Sequence, residues 1–451
     1  MSGYIRLLRD NPNYARLWLA QCVSLLGDWF NTIVLSTLVT RYSNGSGIAL
    51  SIFLLARFLP PLIVSPYAGV LVDRFDRKRL LIFSDLSRAV IVILFLLANT
   101  PDKLWLIYLL TTFQFAMSAI FEPGRNAILP SLVKQDDLLK ANTLGNVTWS
   151  LMLAVGAIAG GLVQGIFGDA FALGVDAASF LISALFMMGI RMPSQPIEES
   201  AVSHTPVEAT KEDKSKRTFG EALRYIAQNP FTAAVLLVKA GGSLGNIDAL
   251  IVIYATQIFV VGQGGGGSIG ILYSFFGIGA LLGPAILNRF SDGTPRVLRR
   301  LIIVAYAWMM IAWLLYGAAP TMLLAGIALT LRGMGGSVYW TYSSVILQKT
   351  VPDHYLGRLF SVDMGGFYLS TVLSTVLTGV LLEINTLPIG AFFGANPNGV
   401  TSLLLLQLQQ NGIRQVSFTW GLLSLIPLVL WSAAVYMMER HRRYETALAS
   451  A

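Results

Sequence analysis

The chain has 451 residues, of which 55% are hydrophobic and only 12% are charged, and its mean hydropathy is +0.64. Soluble domains carry about 25% charged residues, so this composition excludes a disordered protein and argues against an ordinary soluble enzyme. The single cysteine, Cys22, excludes an internal disulfide. The formal net charge of +8 needs a separate explanation, because nucleic-acid binding is one source of such an excess.

Twelve apolar stretches are each long enough to cross a bilayer, which takes about 20 mostly apolar residues per helix. The predicted spans are 14–40, 48–72, 79–98, 104–132, 139–167, 170–190, 230–261, 268–290, 298–318, 320–350, 358–387 and 416–438. The basic, amphipathic start of the chain and the length of the first span do not fit a cleavable signal peptide. We therefore predict an all-α membrane protein with twelve transmembrane helices.

The basic residues divide unequally between the two sides of these spans. If the N-terminus is inside, 25 of the 32 basic residues lie on the cytoplasmic side, three lie outside and four lie within spans. Membrane proteins keep their positive residues on the cytoplasmic side. The charge of +8 therefore predicts that both termini are cytoplasmic and that the basic residues contact anionic lipids, with no role in nucleic-acid binding.

One long polar stretch divides the twelve spans into two sets of six. The predicted organisation is an N-terminal six-helix bundle at 1–191, a cytoplasmic linker with a short amphipathic helix at 192–229, a C-terminal six-helix bundle at 230–439 and a cytoplasmic tail at 440–451. A second irregular segment, 388–415, is predicted to lie outside, with an interfacial helix in its LLLLQLQQ run. The glycine-rich stretch 262–270 is predicted to be an outer loop, since it lacks the Lys-Ser/Thr of a phosphate-binding loop.

Two pairs of short segments recur at nearly the same offset. DRFDR at 73–77 is similar to NRFSD at 288–292, and AILPSLV at 127–133 is similar to VILQKTV at 345–351, with offsets of 215 and 218. Such an offset, close to half the chain, predicts duplication of a six-helix unit with a site between the halves. A chance match between short apolar segments is the alternative.

Several of these features together resemble the major facilitator superfamily. The loop GVLVDRFDRKR at 69–79 is similar to the signature of that superfamily, although Asp76 stands where the family usually has glycine. That change, the segment FEPGRNAILPSLV at 121–133 and the run Leu25-Leu26-Gly27-Asp28 resemble its drug- and siderophore-exporter branch, which includes macrolide-efflux and enterobactin-exporter proteins. The resemblance implies two six-helix bundles that alternate access to a central site.

The resemblance also implies a gating role for the signature loop. Asp73 would latch the two halves on the inner side, near Gly357 and Arg358, when the outside is open. A carboxylate can also sit at a helix N-terminus, where the helix dipole favours negative charge. The predicted gating residues of the loop are Gly69, Asp73, Arg74, Arg77 and Lys78.

A glycine motif lies in the fifth predicted helix. Antiporters of the superfamily often carry G-P-x-x-G-G there, and this chain has Gly156, Gly160 and Gly161 with Ala157 in place of proline. Small residues permit close helix packing, so we predict that these glycines contribute to gating. The alternative is that they are an ordinary small-residue packing motif, which any membrane helix can carry.

Ionisable side chains at mid-membrane depth are costly, so each is a functional candidate. Asp28 and Arg57 lie at about equal depth in adjacent predicted helices. An Asp28 carboxylate that exchanges Arg57 for a proton would couple transport to protons, whereas a static buried ion pair is the alternative. Glu122 is a second candidate for proton coupling, with an i,i+3 pair to Arg125 as the alternative.

Other deep charges bear on the substrate. Asp248 and Arg332 are expected to pair, which leaves Lys239 without an obvious partner, and Asp363 is expected to be solvated near the end of its helix. The spans hold four basic residues but only two acidic residues near mid-depth. This imbalance predicts surplus positive charge in the central cavity. This favours a substrate with anionic or zwitterionic groups.

Aromatic and amide side chains at the same depths are predicted to line the substrate cavity, because aromatic rings offer broad contacts to amphiphiles. Ordinary helix packing or lipid contact is the alternative for each. The predicted cavity residues are Trp29, Phe30, Gln114, Asn146, Trp149, Lys239, Asn246, Asp248, Arg332, Tyr339, Trp340 and Tyr342.

Motifs of soluble catalysis are missing from the sequence. It has no Walker lysine loop, no H-E-x-x-H, no cysteine cluster and no G-x-S-x-G. We therefore predict that the protein is neither an enzyme nor an ATP-driven pump. We also predict that it uses no cofactor and that a proton gradient is its driving force. The leading hypothesis is a monomeric, proton-coupled exporter of a small amphipathic molecule (a drug, macrolide or siderophore) in the bacterial inner membrane. A lysophospholipid flippase or uncoupled facilitator, and a non-transporting receptor or scaffold, are the alternatives. Substrate identity and transport direction stay open.

Overall fold

The computed structural model of the protein describes residues 2–134, 137–191, 219–245, 247–386 and 400–449. The helices are α1 (Ser2–Asp10), α2 (Pro12–Tyr42), α3 (Gly47–Arg74), α4 (Arg77–Leu94), α5 (Leu104–Ile128), α6 (Leu138–Phe167), α7 (Asp169–Met188), α8 (Phe219–Gln228), α9 (Pro230–Gly242), α10 (Ile247–Gln257), α11 (Gly266–Leu287), α12 (Pro295–Ala318), α13 (Met322–Thr350), α14 (Asp353–Thr386), α15 (Val400–Leu423) and α16 (Leu425–Ala449). Within the described residues these helices provide twelve spans that are long and apolar enough to cross a membrane. The predicted all-α class and the number of spans are confirmed.

Several helix starts are fixed by residues that satisfy the unpaired N–H groups of a first turn. The Ser46 hydroxyl accepts from the Ala49 N–H at 3.3 Å to begin α3, and the Asp76 carboxylate accepts from the Arg79 N–H at 2.8 Å to begin α4. Proline occupies the first turn of α2, α9 and α12, where it has no N–H to leave unsatisfied.

The seventh span is broken, whereas the sequence predicts one continuous helix over 230–261. Helix α9 ends at Gly242 and α10 begins at Ile247, with Gly245 between them at a φ of +78°. Glycine adopts this left-handed conformation without a steric penalty, and it weakens a helix. The Gly242 carbonyl, freed at the end of α9, accepts a hydrogen bond from the Arg332 guanidinium at 3.1 Å. The break is therefore stabilised by a side chain from α13.

The last span also differs from its prediction. Residues 387–399 lie outside the described part of the chain, but the LLLLQLQQ run forms the start of α15 rather than a separate interfacial helix. The membrane-spanning segment begins at Gln410 and ends at Arg440, across the junction of α15 and α16 at Ser424. Helix α8 covers the segment in which the amphipathic helix is predicted, and its Tyr225 ring stacks on Tyr355 of α14 with ring centroids 4.6 Å apart.

The helices form two bundles, α2–α7 and α9–α16, that meet chiefly where α6 contacts α11 and α3 contacts α14. Because the number of spans is even, both termini lie at one face, here called the terminal face; the opposite face, with the α2–α3 turn, is the far face. In the far half one hydrophobic core contains residues of both bundles, such as Phe53 and Ile253. In the terminal half each bundle has its own core, exemplified by Leu81 in one and Ile302 in the other.

This division of the core determines the conformation. A shared core holds the bundles together at the far face, whereas in the terminal half no core cluster of the described residues joins the two bundles, which indicates a gap between them there. The terminal half of α14 supports this gap, because a methyl group added at Gly357 or Gly365 would meet no atom within 4 Å. The structure is therefore closed at the far face and open towards the terminal face.

Candidate functional site

The contact between α6 and α11 is built from small residues of both bundles. A methyl group added at Gly161 would lie 2.7 Å from the Gly266 carbonyl oxygen, and one added at Gly277 would lie 2.8 Å from the Ala154 nitrogen. Only residues without larger side chains permit backbones to approach so closely. The Gly161 position thus lies directly at the junction of the two bundles.

The other two predicted glycines pack within the N-terminal bundle. A methyl group at Gly156 would lie 2.9 Å from the Trp29 ring, and one at Gly160 would lie 3.2 Å from the Trp29 carbonyl oxygen. The glycines of α6 therefore serve close packing against α2 as well as against α11. A meaning specific to exporters stays a prediction.

Hydrogen bonds across the bundles close the far face. The Ser51 hydroxyl of α3 donates to the Thr375 carbonyl of α14 at 3.1 Å. At the helix ends, the Ser46 hydroxyl donates to the Glu383 carboxylate at 3.4 Å. The Gln257 amide donates to the Gly45 carbonyl at 2.9 Å. These bonds must break if the far face opens.

Below this closure, side chains of both bundles meet in the middle of the molecule. The Trp29 ring of α2 packs on the Tyr273 ring of α11 with centroids 4.9 Å apart, and the Tyr273 hydroxyl donates to the Asp248 carboxylate at 2.5 Å. Arg57 is near enough to the Tyr273 hydroxyl to interact with it electrostatically, and its guanidinium lies 5.0 Å from the centre of the Phe115 ring. Tyr273, which links the bundles here, is absent from the residues predicted from the sequence.

The expected pair of Asp248 and Arg332 is wrong. The described residues contain no ion pair between them. Arg332 is buried, hydrogen-bonds the Gly242 carbonyl and lies beside the Tyr339 hydroxyl. The helix break before Asp248 creates a free carbonyl that binds the guanidinium, while Tyr273 binds Asp248.

The expectation that Lys239 lacks a partner is also wrong. Its ammonium lies 2.5 Å from the Asp363 carboxylate and 2.9 Å from the Ser344 hydroxyl, and it lies 4.6 Å from the centre of the Trp340 ring. Both charged side chains are almost completely buried, so Asp363 is not solvated. Helix α14 begins at Asp353, five residues before the predicted start, which places Asp363 deeper in the membrane than expected.

A second buried ion pair lies in the N-terminal bundle. Asp85 and Arg88 of α4, three residues apart, form this pair, and the Ser183 hydroxyl donates to Asp85 at 2.6 Å. The Arg88 guanidinium lies over the rings of Phe121 and Phe180, at 4.6 and 4.3 Å from their centres. The pair is packed inside the N-terminal bundle.

Sequence reasoning missed Asp176, a fully buried carboxyl in α7. Asp176 interacts electrostatically with Asp28, which is half-buried on α2, and its carboxylate lies against the backbone of Gly27. The signal was available, because Asp176 lies seven residues into the predicted span 170–190 and the depth rule applies to it as to Asp28. The exchange of Asp28 between Arg57 and a proton stays a prediction.

The predicted surplus of positive charge at mid-depth is wrong. Five buried or half-buried acids lie in the middle of the spans against four basic residues; the acids are Asp28, Asp85, Asp176, Asp248 and Asp363. Two of the basic residues, Arg88 and Lys239, are each neutralised by an acid in direct contact. The sequence count omitted Asp85 and Asp176 and placed Asp363 too near the membrane surface.

The predicted cavity residues separate into two groups. Phe30 belongs to the core shared by the bundles, and Tyr342 is buried with its hydroxyl donating to Asn288 at 2.8 Å, so neither faces the gap in this conformation. Tyr339 and Gln114 are buried as well. The Trp29 ring contacts Tyr273 of the other bundle, the Trp340 ring contacts the Lys239 ammonium, and Trp149 is 51% exposed. Asn246 and the side chains of Glu122 and Asn146 lie outside the described residues.

The signature loop has a structural role that the sequence did not indicate. The Lys78 ammonium donates to the carbonyls of Met188 and Ile190 at 2.8 and 2.7 Å, at the end of α7. Asp76 forms the N-cap of α4, whereas Asp73 lies in the last turn of α3, so the expectation of Asp73 at a helix N-terminus is wrong. The loop thus caps the start of α4 and binds it to the end of α7.

The latch itself stays a prediction. The surroundings of Gly69 and the side chain of Asp73 lie outside what the structure describes, Arg74 and Arg77 are exposed, Arg358 is half-buried, and the position of Gly357 faces open space. The terminal face is open in this structure, which is the state in which such a latch would be released.

Comparison with known proteins agrees with this architecture. The sequence profile described as the Major Facilitator Superfamily matches residues 17–375. The chain belongs to this superfamily. It is therefore a multi-pass membrane transporter and not an enzyme, and the predicted family is confirmed.

Two bacterial relatives resemble the chain over most of its length. A Bacillus subtilis protein described as a candidate bacilysin exporter, BacE, is 25% identical over 391 residues, which cover 83% of this chain and 92% of the relative. Macrolide efflux protein A of Streptococcus pyogenes is 24% identical over 379 residues, which cover 81% and 88%. A bacterial homologue of the human lysosomal transporter Spinster, solved in an inward-facing and unoccupied conformation, has the same fold, with a TM-score of 0.73 at 14% identity over 94% of this chain and 97% of the other.

Proposed function

We propose that this superfamily member is a proton-coupled exporter of an amphipathic small molecule, with its terminal face in the cytoplasm. The observation that carries the proposal is the position of Asp28, a half-buried carboxyl next to Trp29, whose ring contacts the other bundle through Tyr273. A carboxyl at such a junction experiences a different environment when the bundles rock, so its proton affinity differs between the two conformations. The names of the two relatives support export as the direction.

The charges of the central region favour a neutral or cationic substrate. With the two buried ion pairs set aside, Asp28, Asp176 and Asp248 remain against Arg57 and Arg332. Such a balance gives an anionic molecule no advantage, and it therefore favours a macrolide-like amphiphile over an anionic siderophore. The aromatic rings of Trp29 and Trp340 offer the tolerant contacts that such a molecule needs.

The proposed cycle uses the conformation seen here as its cytoplasm-open state. The substrate enters the gap at the terminal face, while Asp28 releases its proton to the cytoplasm. Opening of the far face requires the Ser51–Thr375 and Gln257–Gly45 hydrogen bonds to break and lets a proton reach Asp28 from outside. Inward movement of one proton then drives the outward movement of substrate.

The test is transport in proteoliposomes of the purified protein with radiolabelled erythromycin as the macrolide probe. We expect an imposed pH gradient to accelerate erythromycin movement through the wild-type protein but not through Asp28→Asn. Asp169→Asn is the matched control, since Asp169 lies near the far face in a partly exposed pair with Arg41 at 2.7 Å, and it should respond as the wild type does.

Each alternative function has its own result. Erythromycin flux that ignores both the gradient and Asp28→Asn would indicate an uncoupled facilitator. Binding without flux would indicate a receptor, and gradient-independent movement of fluorescent lysophospholipid would indicate a flippase. Any of these three results contradicts the proposal.

A further inference from the structure

A buried carboxyl in α7 has no assigned role. Asp176 is 0% exposed, and its Oδ2 atom has no hydrogen-bond partner among the described residues. The Ser179 hydroxyl donates to the Asp176 backbone carbonyl at 2.7 Å and lies 3.5 Å from the carboxyl Oδ1 atom, which leaves Oδ2 without a donor. A carboxyl oxygen left without a donor in the interior disfavours the ionised form of the group.

The charged and polar neighbours of Asp176 come from both helices that pack closely on α7. Helix α2 contributes the carboxyl of Asp28 and the amide of Asn31, and a methyl group added at Gly27, the neighbour of Asp28, would lie 2.6 Å from the Asp176 Oδ1 atom. Helix α4 contributes the guanidinium of Arg88. Arg88 is in direct contact with Asp85, which neutralises most of its charge, so Arg88 does little to stabilise an ionised Asp176. Asp176 therefore has one neighbouring carboxyl, that of Asp28, and one neighbouring guanidinium, which is already paired with Asp85.

This arrangement has a direct consequence for protonation. Two neighbouring carboxyls in a poorly hydrated site do not both ionise, because like charges repel and burial removes the solvent that stabilises them. They hold one proton between them and titrate as a pair. Asp176 is fully buried, while Asp28 is half-buried and therefore closer to the gap between the bundles.

We propose that Asp176 and Asp28 form a proton-sharing pair, in which Asp176 stores the transported proton inside the N-terminal bundle and Asp28 exchanges it with the central gap. This proposal rests on the proton coupling proposed above and names its second carrier. Trp29, adjacent to Asp28, contacts Tyr273 of the other bundle, so movement of the bundles alters the surroundings of the pair. The proton moves from one carboxyl oxygen to the other without any other change in bonding.

Infrared spectroscopy tests the stored proton without a substrate. A protonated carboxylic acid has a carbonyl stretching band that an ionised carboxylate lacks, and aspartate isotope-labelled at its side-chain carboxyl identifies bands that belong to aspartates. In purified protein at neutral pH we expect such a band in the wild type, its loss in Asp176→Asn, and its shift in Asp28→Asn because the neighbouring charge is gone. Asp169→Asn, in the same helix, should leave the band unchanged.

A wild-type spectrum without a protonated aspartate, or a band that persists unchanged in Asp176→Asn, would overturn the pair. If Asp176→Asn does not fold, the shift of the band in Asp28→Asn decides, since an unshifted band means that Asp28 does not neighbour the protonated group. Correct folding is checked by size-exclusion chromatography in detergent.

Transport separates failure of the pair from failure of the proposed function. We expect Asp176→Asn to bind erythromycin but to lose its acceleration by a pH gradient. Gradient-driven transport equal to that of the wild type in Asp176→Asn would overturn the pair and leave the proposed function intact. Wild-type transport that ignores the gradient, together with a protonated Asp176 band, would reject proton coupling and reject Asp176 as a carrier of a transported proton.

Discussion

Replacement of Gly161 by alanine perturbs the closed far face with a single methyl group. The added carbon would lie 2.7 Å from the Gly266 carbonyl oxygen and 3.3 Å from the Gly267 Cα. Both neighbours are backbone atoms of the other bundle, so they cannot rotate away. The bundles must separate slightly at this point, which disfavours the conformation described here relative to one with an open far face.

The size of the effect follows from the cost of overpacking. An extra carbon in a packed interior costs about 1–3 kcal/mol, which changes a two-state equilibrium by about 5- to 150-fold. The gain of about 0.5–1 kcal/mol from replacing glycine inside a helix applies to both conformations and cancels. We therefore expect the population with an open far face to rise by a factor in that range.

The assay uses the accessibility of Ser51, which is buried where α3 meets α14. Ser51→Cys is nearly isosteric, and Cys22→Ser removes the single native cysteine. Reaction of Cys at position 51 with a polar maleimide in detergent should be faster when Gly161→Ala is added. Gly165→Ala is the matched control on the same helix, because a methyl group there meets no atom within 4 Å.

Equal labelling rates in Gly161→Ala and Gly165→Ala would refute the reasoning. That result would mean that the contact of Gly161 with α11 does not hold the far face closed. Equal acceleration in both variants would refute it as well, since it would point to helix propensity instead of the contact between bundles.

Three further substitutions test the packing of the centre. Lys239→Met should lower stability by about 3–5 kcal/mol because it leaves Asp363 buried without its partner, and adding Asp363→Leu should recover most of the loss in thermal unfolding; an unrecovered loss would contradict the pairing. Tyr273→Phe removes the hydrogen bond to Asp248 and should reduce erythromycin transport while the melting temperature changes little, whereas wild-type transport would exclude Tyr273 from the site. Phe30→Ala should cost about 3–5 kcal/mol as a core truncation, and unchanged stability with lost substrate binding would return Phe30 to the cavity.

Local features of the sequence predicted the fold well. Apolar length is a property of consecutive residues, and it identified all twelve spans. The amphipathic pattern marked the segment that forms α8. In each case the residues that make the structure lie within a few turns of one another.

Long-range contacts explain what the sequence could not reveal. Lys239 and Asp363 are 124 positions apart, and the position of Asp28 beside Asp176 depends on how α2 crosses α7. From the sequence alone, depth within a span was the guide to which charged residues pair. Helix α14 begins five residues before the predicted span, and this difference was enough to misplace Asp363. The break in the seventh span depends on Arg332, which a local pattern does not include.

Proton uptake coupled to the exit of substrate tests the central claim most directly. Proteoliposomes are loaded with erythromycin at equal pH on both sides, and a pH-sensitive dye outside reports protons as the drug leaves. Coupled antiport predicts that the outer solution becomes more alkaline as erythromycin leaves through the wild-type protein, and that Asp28→Asn gives no such change. Erythromycin leaving through the wild-type protein without any change in pH would contradict proton-coupled export.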